Sequence, residues 1–145
     1  MHGALRRIDD LGRIVIPKEI RNELRITSGD KIEIKIKDEE IILKKYSELS
    51  KIKELSQIIT KTVFKKYKIE IKITDMDKYI SNNEKISPEI IKKIKENKQQ
   101  IINGKLITPI SLNGEIYGSI ITQAKNENLK DTIILLAQIL AYHIE

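Results

Sequence analysis

The sequence has no cysteine. That excludes disulfides, a thiolate nucleophile, and Cys-ligated zinc or iron–sulfur centres. Only two histidines occur, His2 and His143, near opposite ends of the chain, so a His-based metal site is not expected. No apolar run approaches the ~20 residues that a membrane span needs. The opening MHGALRRIDD also lacks the apolar core of a signal peptide. Neither a nucleophile–base pair nor a Gly-rich phosphate-cradling loop is visible, which argues against an enzyme. The expectation is a cytoplasmic protein with no cofactor, no metal and no membrane contact.

What is present describes a globular chain: 145 residues, 40% hydrophobic and 33% charged, with a net charge of +6. Positive balance biases association toward polyanions. The bias is spread evenly, because residues 1–46 carry a net +2 and the remaining 99 a net +4. The kind of cation is not spread evenly. All five arginines (Arg6, Arg7, Arg13, Arg21, Arg25) lie in the first 25 residues, and every basic residue after them is Lys. Arg is the side chain suited to bidentate contact with phosphate and guanine.

Along the chain, ALRRID (4–9) reads as a short strand ending at the acidic turn Asp9-Asp10-Leu11-Gly12, and RIVI (13–16) as a second strand. Pro17 stops that strand and starts a helix, PKEIRNELRI, with Ile20 and Leu24 on one face and Arg21 and Arg25 on another. After the turn Thr27-Ser28-Gly29-Asp30, KIEIKIK (31–37) alternates as a half-buried strand, and IILKKY (41–46) returns beside it. The first 46 residues thus read β-β-α-β-β. A unit that small buries too little surface without disulfides, metals or oligomerisation, and only oligomerisation is open to it.

From about Ser47 the pattern changes. An amphipathic helix is expected near 50–67, a strand at 69–75, and a helix from Ser87-Pro88 to about Gln99. Two strands, 105–112 and 115–123, flank Asn113-Gly114, a strong hairpin signal, and Asn103-Gly104 offers another turn. A final helix, 129–144, is apolar over more than one face. This second part reads α-β-α-β-β-α. Asp75 and Asp77 have the spacing of a cation pair but read better as a turn. The pairs Lys65-Lys66 and Lys92-Lys93 read either as solvated faces or as an extension of a polyanion-contacting surface.

The run RRIDDLGRIVIPKEIRNELRI, followed by GDKIEIKIKDEEIILKKY, closely resembles the AbrB-type swapped-hairpin DNA-binding domain over about residues 4–46. The layout of the whole chain, with IKITDMDKYIS, LITPISLNGEIYGSIITQAK and the closing helix, resembles the SpoVT subgroup, which joins that hairpin to a GAF-like domain. The resemblance implies an α+β protein. Its residues 1–46 would form an intertwined, swapped-hairpin β-barrel dimer, and 50–145 a small GAF-like α/β domain for regulation or oligomerisation. It implies a nucleoid-associated regulator of sporulation or transition-state genes that binds double-stranded DNA as a homodimer. A tetramer could form through helices 50–67 and 129–144. By motif, the DNA-binding residues would be Arg6, Arg7, Arg13, Lys18 and Arg21. Asn22 stands where the family often has a second basic residue, and the stretch from Ser81 to Gly104 is shorter than usual, which weakens the case for a small-molecule effector. The alternatives are an antitoxin-like interaction module, which would want a polar, aperiodic tail, and a small-molecule receptor acting through the second domain.

Overall fold

The computed structural model describes residues 3–144, so His2 lies outside the described residues. The chain divides between Tyr46 and Ser47 into two units.

Unit 1 departs from the expected β-β-α-β-β at its start. Neither 4–9 nor 13–16 forms a strand ladder. One backbone bond, from Asp9 N–H to the Arg13 carbonyl at 3.1 Å, joins the two segments across the turn. A strand needs a neighbour for every other amide, and within one chain these segments find none beyond that bond. Pro17 (φ −55°, ψ 147°) then opens α1, Lys18–Glu23, which is shorter than the helix expected from PKEIRNELRI. It stops because Arg25 turns left-handed (φ 55°). The Arg25 N–H reaches the Asn22 carbonyl at 3.2 Å and the Ile26 N–H reaches that of Arg21 at 2.7 Å. This closes the helix around a left-handed residue that is more often Gly.

Strands β1 (Ile32–Lys37) and β2 (Glu40–Lys45) pair antiparallel. Ile34 opposes Leu43 and Ile36 opposes Ile41, so these four share one face of a two-stranded ribbon. That face is bare: the four are 68%, 47%, 82% and 69% exposed. Leu5, Ile8, Leu11, Ile14 and Val15 are exposed as well. No side chain of residues 3–46 is buried.

Unit 2 has the core that unit 1 lacks. A 3-10 turn, Glu48–Ile52, buries Leu49 completely and leads into α2, Lys53–Tyr67. Then come β3 (Lys72–Thr74), α3 (Pro88–Ile94), β4 (Gln100–Ile102), β5 (Lys105–Leu112), β6 (Glu115–Gln123) and α4 (Lys130–Ile144). The strands form one antiparallel sheet in the order β3-β6-β5-β4. Ile59 and Val63 of α2 and Ile133, Ala137, Leu140 and Ala141 of α4 join one core with Ile71, Ile73, Ile110 and Ile120. A second core, Ile86, Ile94, Ile107 and Ile121, involves α3 and the segment preceding it.

Most local signals act as expected here. Ser87 Oγ accepts the Ile90 N–H at 3.3 Å with Pro88 leading α3. Asn103-Gly104 and Asn113-Gly114 all take positive φ and turn the β4–β5 and β5–β6 hairpins. The Asp75 carboxylate accepts the N–H groups of Asp77 (2.7 Å) and Lys78 (2.8 Å), which makes Asp75-Met76-Asp77 a turn. The expected helix to Gln99 is a correction: α3 ends at Ile94 and β4 follows. Deep in the sheet, Thr74 and Ser119, directly opposed on β3 and β6, share a buried hydroxyl bond of 2.7 Å that marks their register.

Candidate nucleic-acid interface

Arg6 and Arg7 precede the Asp9–Gly12 turn, Arg13 follows it, Arg21 lies on α1 and Arg25 just beyond its end. Asp9 organises the turn. Its Oδ1 accepts the N–H groups of Leu11 and Arg13, both at 2.9 Å, and its Oδ2 takes Arg13 Nε at 2.7 Å. Gly12, at φ 76°, donates its N–H back to the Asp9 carbonyl at 3.0 Å. A residue other than Gly would be strained at that φ. The result is a closed acidic loop that fixes one edge of the Arg13 guanidinium while its side chain stays 72% exposed. Since a guanidinium carries five donors in a planar fork, one edge remains for an outside acceptor.

Arg21 is held differently. Its Nε donates to the Ile16 carbonyl at 3.1 Å, tying α1 to the segment ahead of Pro17. Arg6 is exposed, with Nη1 on the neighbouring Leu5 carbonyl at 2.8 Å. The side chains of Arg7 and Lys18 are exposed and, among the described residues, make no hydrogen bond or ion pair. The structure therefore anchors Arg13 and Arg21 to the fold and leaves Arg6, Arg7 and Lys18 free of such anchors. Arg25 sits at the helix-closing left-handed position, and its carbonyl accepts Lys45 Nζ at 2.8 Å. Lys45 also lies 3.7 Å from Asp30, so the turn after α1 is tied to the end of β2. The left-handed Arg25 was not visible in the sequence, because Gly or Asn is the usual signal there.

Hydrogen bonds from the backbone and then the side chain of Arg13 hold the Asp9 carboxyl below the ordinary carboxylate range. A carboxyl with a depressed folded-state pKa steadies the structure above its unfolded value, and that contribution disappears as pH falls through the folded value. The Leu11 and Arg13 amide resonances are therefore expected to hold steady from pH 7 through the ordinary Asp range and to move only below it. Asp9→Asn should abolish that step. A midpoint at or above the ordinary Asp value would show that the loop is not closed by this carboxylate.

A family model described as antidote-toxin recognition MazE, bacterial antitoxin, matches residues 5–50. Stage V sporulation protein T of Bacillus subtilis (strain 168) is 32% identical, with the match covering 88% of this chain and 86% of that protein. The transition state regulatory protein AbrB of the same organism is 54% identical over 44 residues, 30% of this chain and 46% of its own length. The putative transition state regulator Abh is 50% identical over 44 residues, 30% of this chain and 48% of its own length. The shorter matches fall on the N-terminal domain, and the longer one takes in both units.

Proposed function

The chain belongs to the SpoVT/AbrB family of transcriptional regulators, and on that premise we propose that it binds duplex DNA through unit 1 as a symmetric dimer. Arg13 is the central contact and Arg21 its support, with Arg6, Arg7 and Lys18 adding phosphate contacts. The observation that carries this reading is the Asp9–Gly12 loop, which presents a fixed, outward-facing guanidinium. Phosphate neutralisation supplies most of the affinity. The longest helix of unit 1 has six residues, too short to lie along a major groove, so selectivity comes largely from DNA shape and deformability.

The bare ribbon supports the dimer. Fully burying an aliphatic side chain is worth about 1.5–3 kcal/mol, and Ile34, Ile36, Ile41 and Leu43 gain none of it in a single chain. A second copy that lays its own ribbon on this face, and lends neighbours to segments 4–9 and 13–16, supplies both the core and the missing ladder. That arrangement is the intertwined, swapped-hairpin barrel. Unit 2, with helices on a four-stranded antiparallel sheet, acts as a GAF-like regulatory or oligomerising domain. Leu135, Ile139 and Tyr142 form an exposed stripe on α4, and Ile58 and Tyr67 are exposed on α2. Both suit assembly of two dimers into a tetramer. The names of the relatives support a role in sporulation or transition-state gene control. The antitoxin reading rests on the description of the family model for residues 5–50, but unit 2 is a folded domain with its own core, not a polar tail for wrapping a toxin.

The deciding experiment measures anisotropy of an A·T-rich duplex with wild type and Arg13→Ala across a salt series. Wild type should show a steep linear fall of log K with log salt. Arg13→Ala should bind more weakly, with a slope shallower by about 2, one phosphate from each protomer at about 0.9. Feeble, salt-insensitive binding by both proteins would remove DNA as the partner.

A further inference from the structure

Unit 2 holds a concentration of positive charge that the interface on unit 1 does not use. From residue 61 to residue 72 the chain carries Lys61, Lys65, Lys66, Lys68 and Lys72 against one acid, Glu70. All five lysines are exposed. Among the described residues none of them is in an ion pair, whereas Lys93 of α3 lies 3.4 Å from Glu96. Lys61 and Lys65 are four apart on α2, a spacing at which like charges repel. The helix dipole offsets this for Lys65 and Lys66 in the last turn, but its effect fades within one turn and does not extend to Lys61.

Two further features shape the patch. Lys61 and Lys72 border one groove of about 340 Å³ between α2 and β3, with Ser56, Gln57 and Thr60 along its α2 side and Glu70 also on its lining. Three of the ammonium groups rest over aromatic rings: Lys66 on Tyr67 at 5.6 Å, Lys68 on Phe64 at 5.9 Å and Lys72 on Tyr79 at 5.4 Å. A ring face holds a cation in place without neutralising it. The charge is thus positioned yet uncompensated.

We propose that the C-terminal half of α2 and the adjoining β3 segment form a second phosphate-contacting surface, which takes the backbone of the same duplex outside the stretch held by unit 1. This inference rests on unit 1 being a DNA-binding unit. Lysines make point contacts and no bidentate base contacts, so the surface adds affinity and salt dependence without adding sequence preference. Lys61 follows the last residue of unit 1 by only 15 residues. A duplex held by unit 1 is therefore tethered to the same chain that carries the patch. Ile59 and Val63 of α2 are spent on the core, whereas Ile58, Phe64 and Tyr67 stay exposed, so binding to an anionic membrane is the competing outcome that the test separates.

The test uses the full chain with Lys61, Lys65, Lys66 and Lys68 all changed to Gln, exposed substitutions of which the three on α2 keep its helix propensity. A Lys92→Gln/Lys93→Gln chain is the control. Binding is followed across a salt series on duplexes of about 15 and about 40 base pairs, roughly one and a half and four helical turns. On the longer duplex the quadruple variant should show a slope shallower than wild type by about 7, near 0.9 for each of four lysines in each of two protomers. On the shorter one it should match wild type, and the control should match wild type on both. Equal slopes for wild type and the quadruple variant on the longer duplex would overturn the inference while leaving unit 1 as the DNA-binding unit. So would an equal fall in the control, or a loss confined to binding of phosphatidylserine vesicles. Absence of binding by wild type to either duplex would overturn both readings.

Discussion

Changing Ile36 to Asp is expected to separate the protein into monomers and to unfold unit 1, although Ile36 is 82% exposed in the single chain. If the chain worked alone, so exposed a substitution would alter stability by no more than about 0.5 kcal/mol. In an assembly that covers the ribbon face, each copy instead loses about 2–3 kcal/mol of apolar burial and acquires a carboxylate with no partner. Two copies lose about 4–6 kcal/mol, which raises the dissociation constant by about 10³ to 10⁴. Sedimentation velocity should show the loss of dimer, and the amide resonances of β1 and β2 should collapse toward random-coil positions. Lys35→Asp makes the contrast. Lys35 opposes Ile42 on the other, charged side of the ribbon, and this change should leave the dimer intact. Equal behaviour of the two variants would mean that nothing covers the ribbon's isoleucine face. DNA binding should fall with the dimer, since half-sites are engaged together.

The same ribbon explains why some of the fold was legible in the sequence and some was not. Alternation in KIEIKIK and IILKKY marks two strands with one apolar face, and both strands are there. Alternation cannot say what covers that face, and the segments ALRRID and RIVI, which read as strands, form no ladder within the chain. In unit 2 the readable elements carry a local signal: the Ser87-Pro88 cap, the two Asn-Gly turns and the long apolar helix at the end. β4 was missed because three residues, Gln100 to Ile102, are too few for a period to register. The Asp9–Gly12 turn was readable from its residue types. What it does to Arg13, through a carboxylate that binds two amides and a guanidinium at once, is a matter of three-dimensional closure. The lysine patch was visible as a charge run, but a charge run is usually just a solvated face. Only the lack of ion-pair partners and the groove between Lys61 and Lys72 set this one apart.

The largest stability loss in unit 2 is expected from adding a single methyl group at Gly118. This glycine lies in β6 opposite Ile110, where the register with β5 shifts by one residue at Tyr117. Such a bulge bends the strand and tightens its twist. β3 and the 3-10 turn lie hard against the Gly118 backbone. A Cβ there would overlap the Thr74 carbonyl oxygen, would meet Leu49 Cδ1 at 2.5 Å, and would lie 2.9 Å from Asp75 Cα. Two of these neighbours are backbone atoms that cannot step aside. Leu49 is completely buried, and moving Thr74 strains its hydroxyl bond to Ser119 and its pairing in the β3–β6 ladder. Overpacking a core costs about 1–3 kcal/mol even where side chains can adjust, so Gly118→Ala should cost about 3 kcal/mol or more. For a domain near 100 residues, that lowers Tm by roughly 12–24 °C. Gly114→Ala separates crowding from backbone conformation. Gly114 sits in the β5–β6 turn at φ 82° with nothing within 4 Å of an added Cβ, so its cost should stay near 1 kcal/mol of left-handed strain. A melting curve for Gly118→Ala within a degree or two of wild type, or one matching Gly114→Ala, would mean that β3 is not held this close to β6. Because Lys72 lies on β3, a β3 displaced by Gly118→Ala would also move one border of the lysine groove, and the salt slope on long duplex should then fall by about 2, one contact from each protomer, while binding through unit 1 persists.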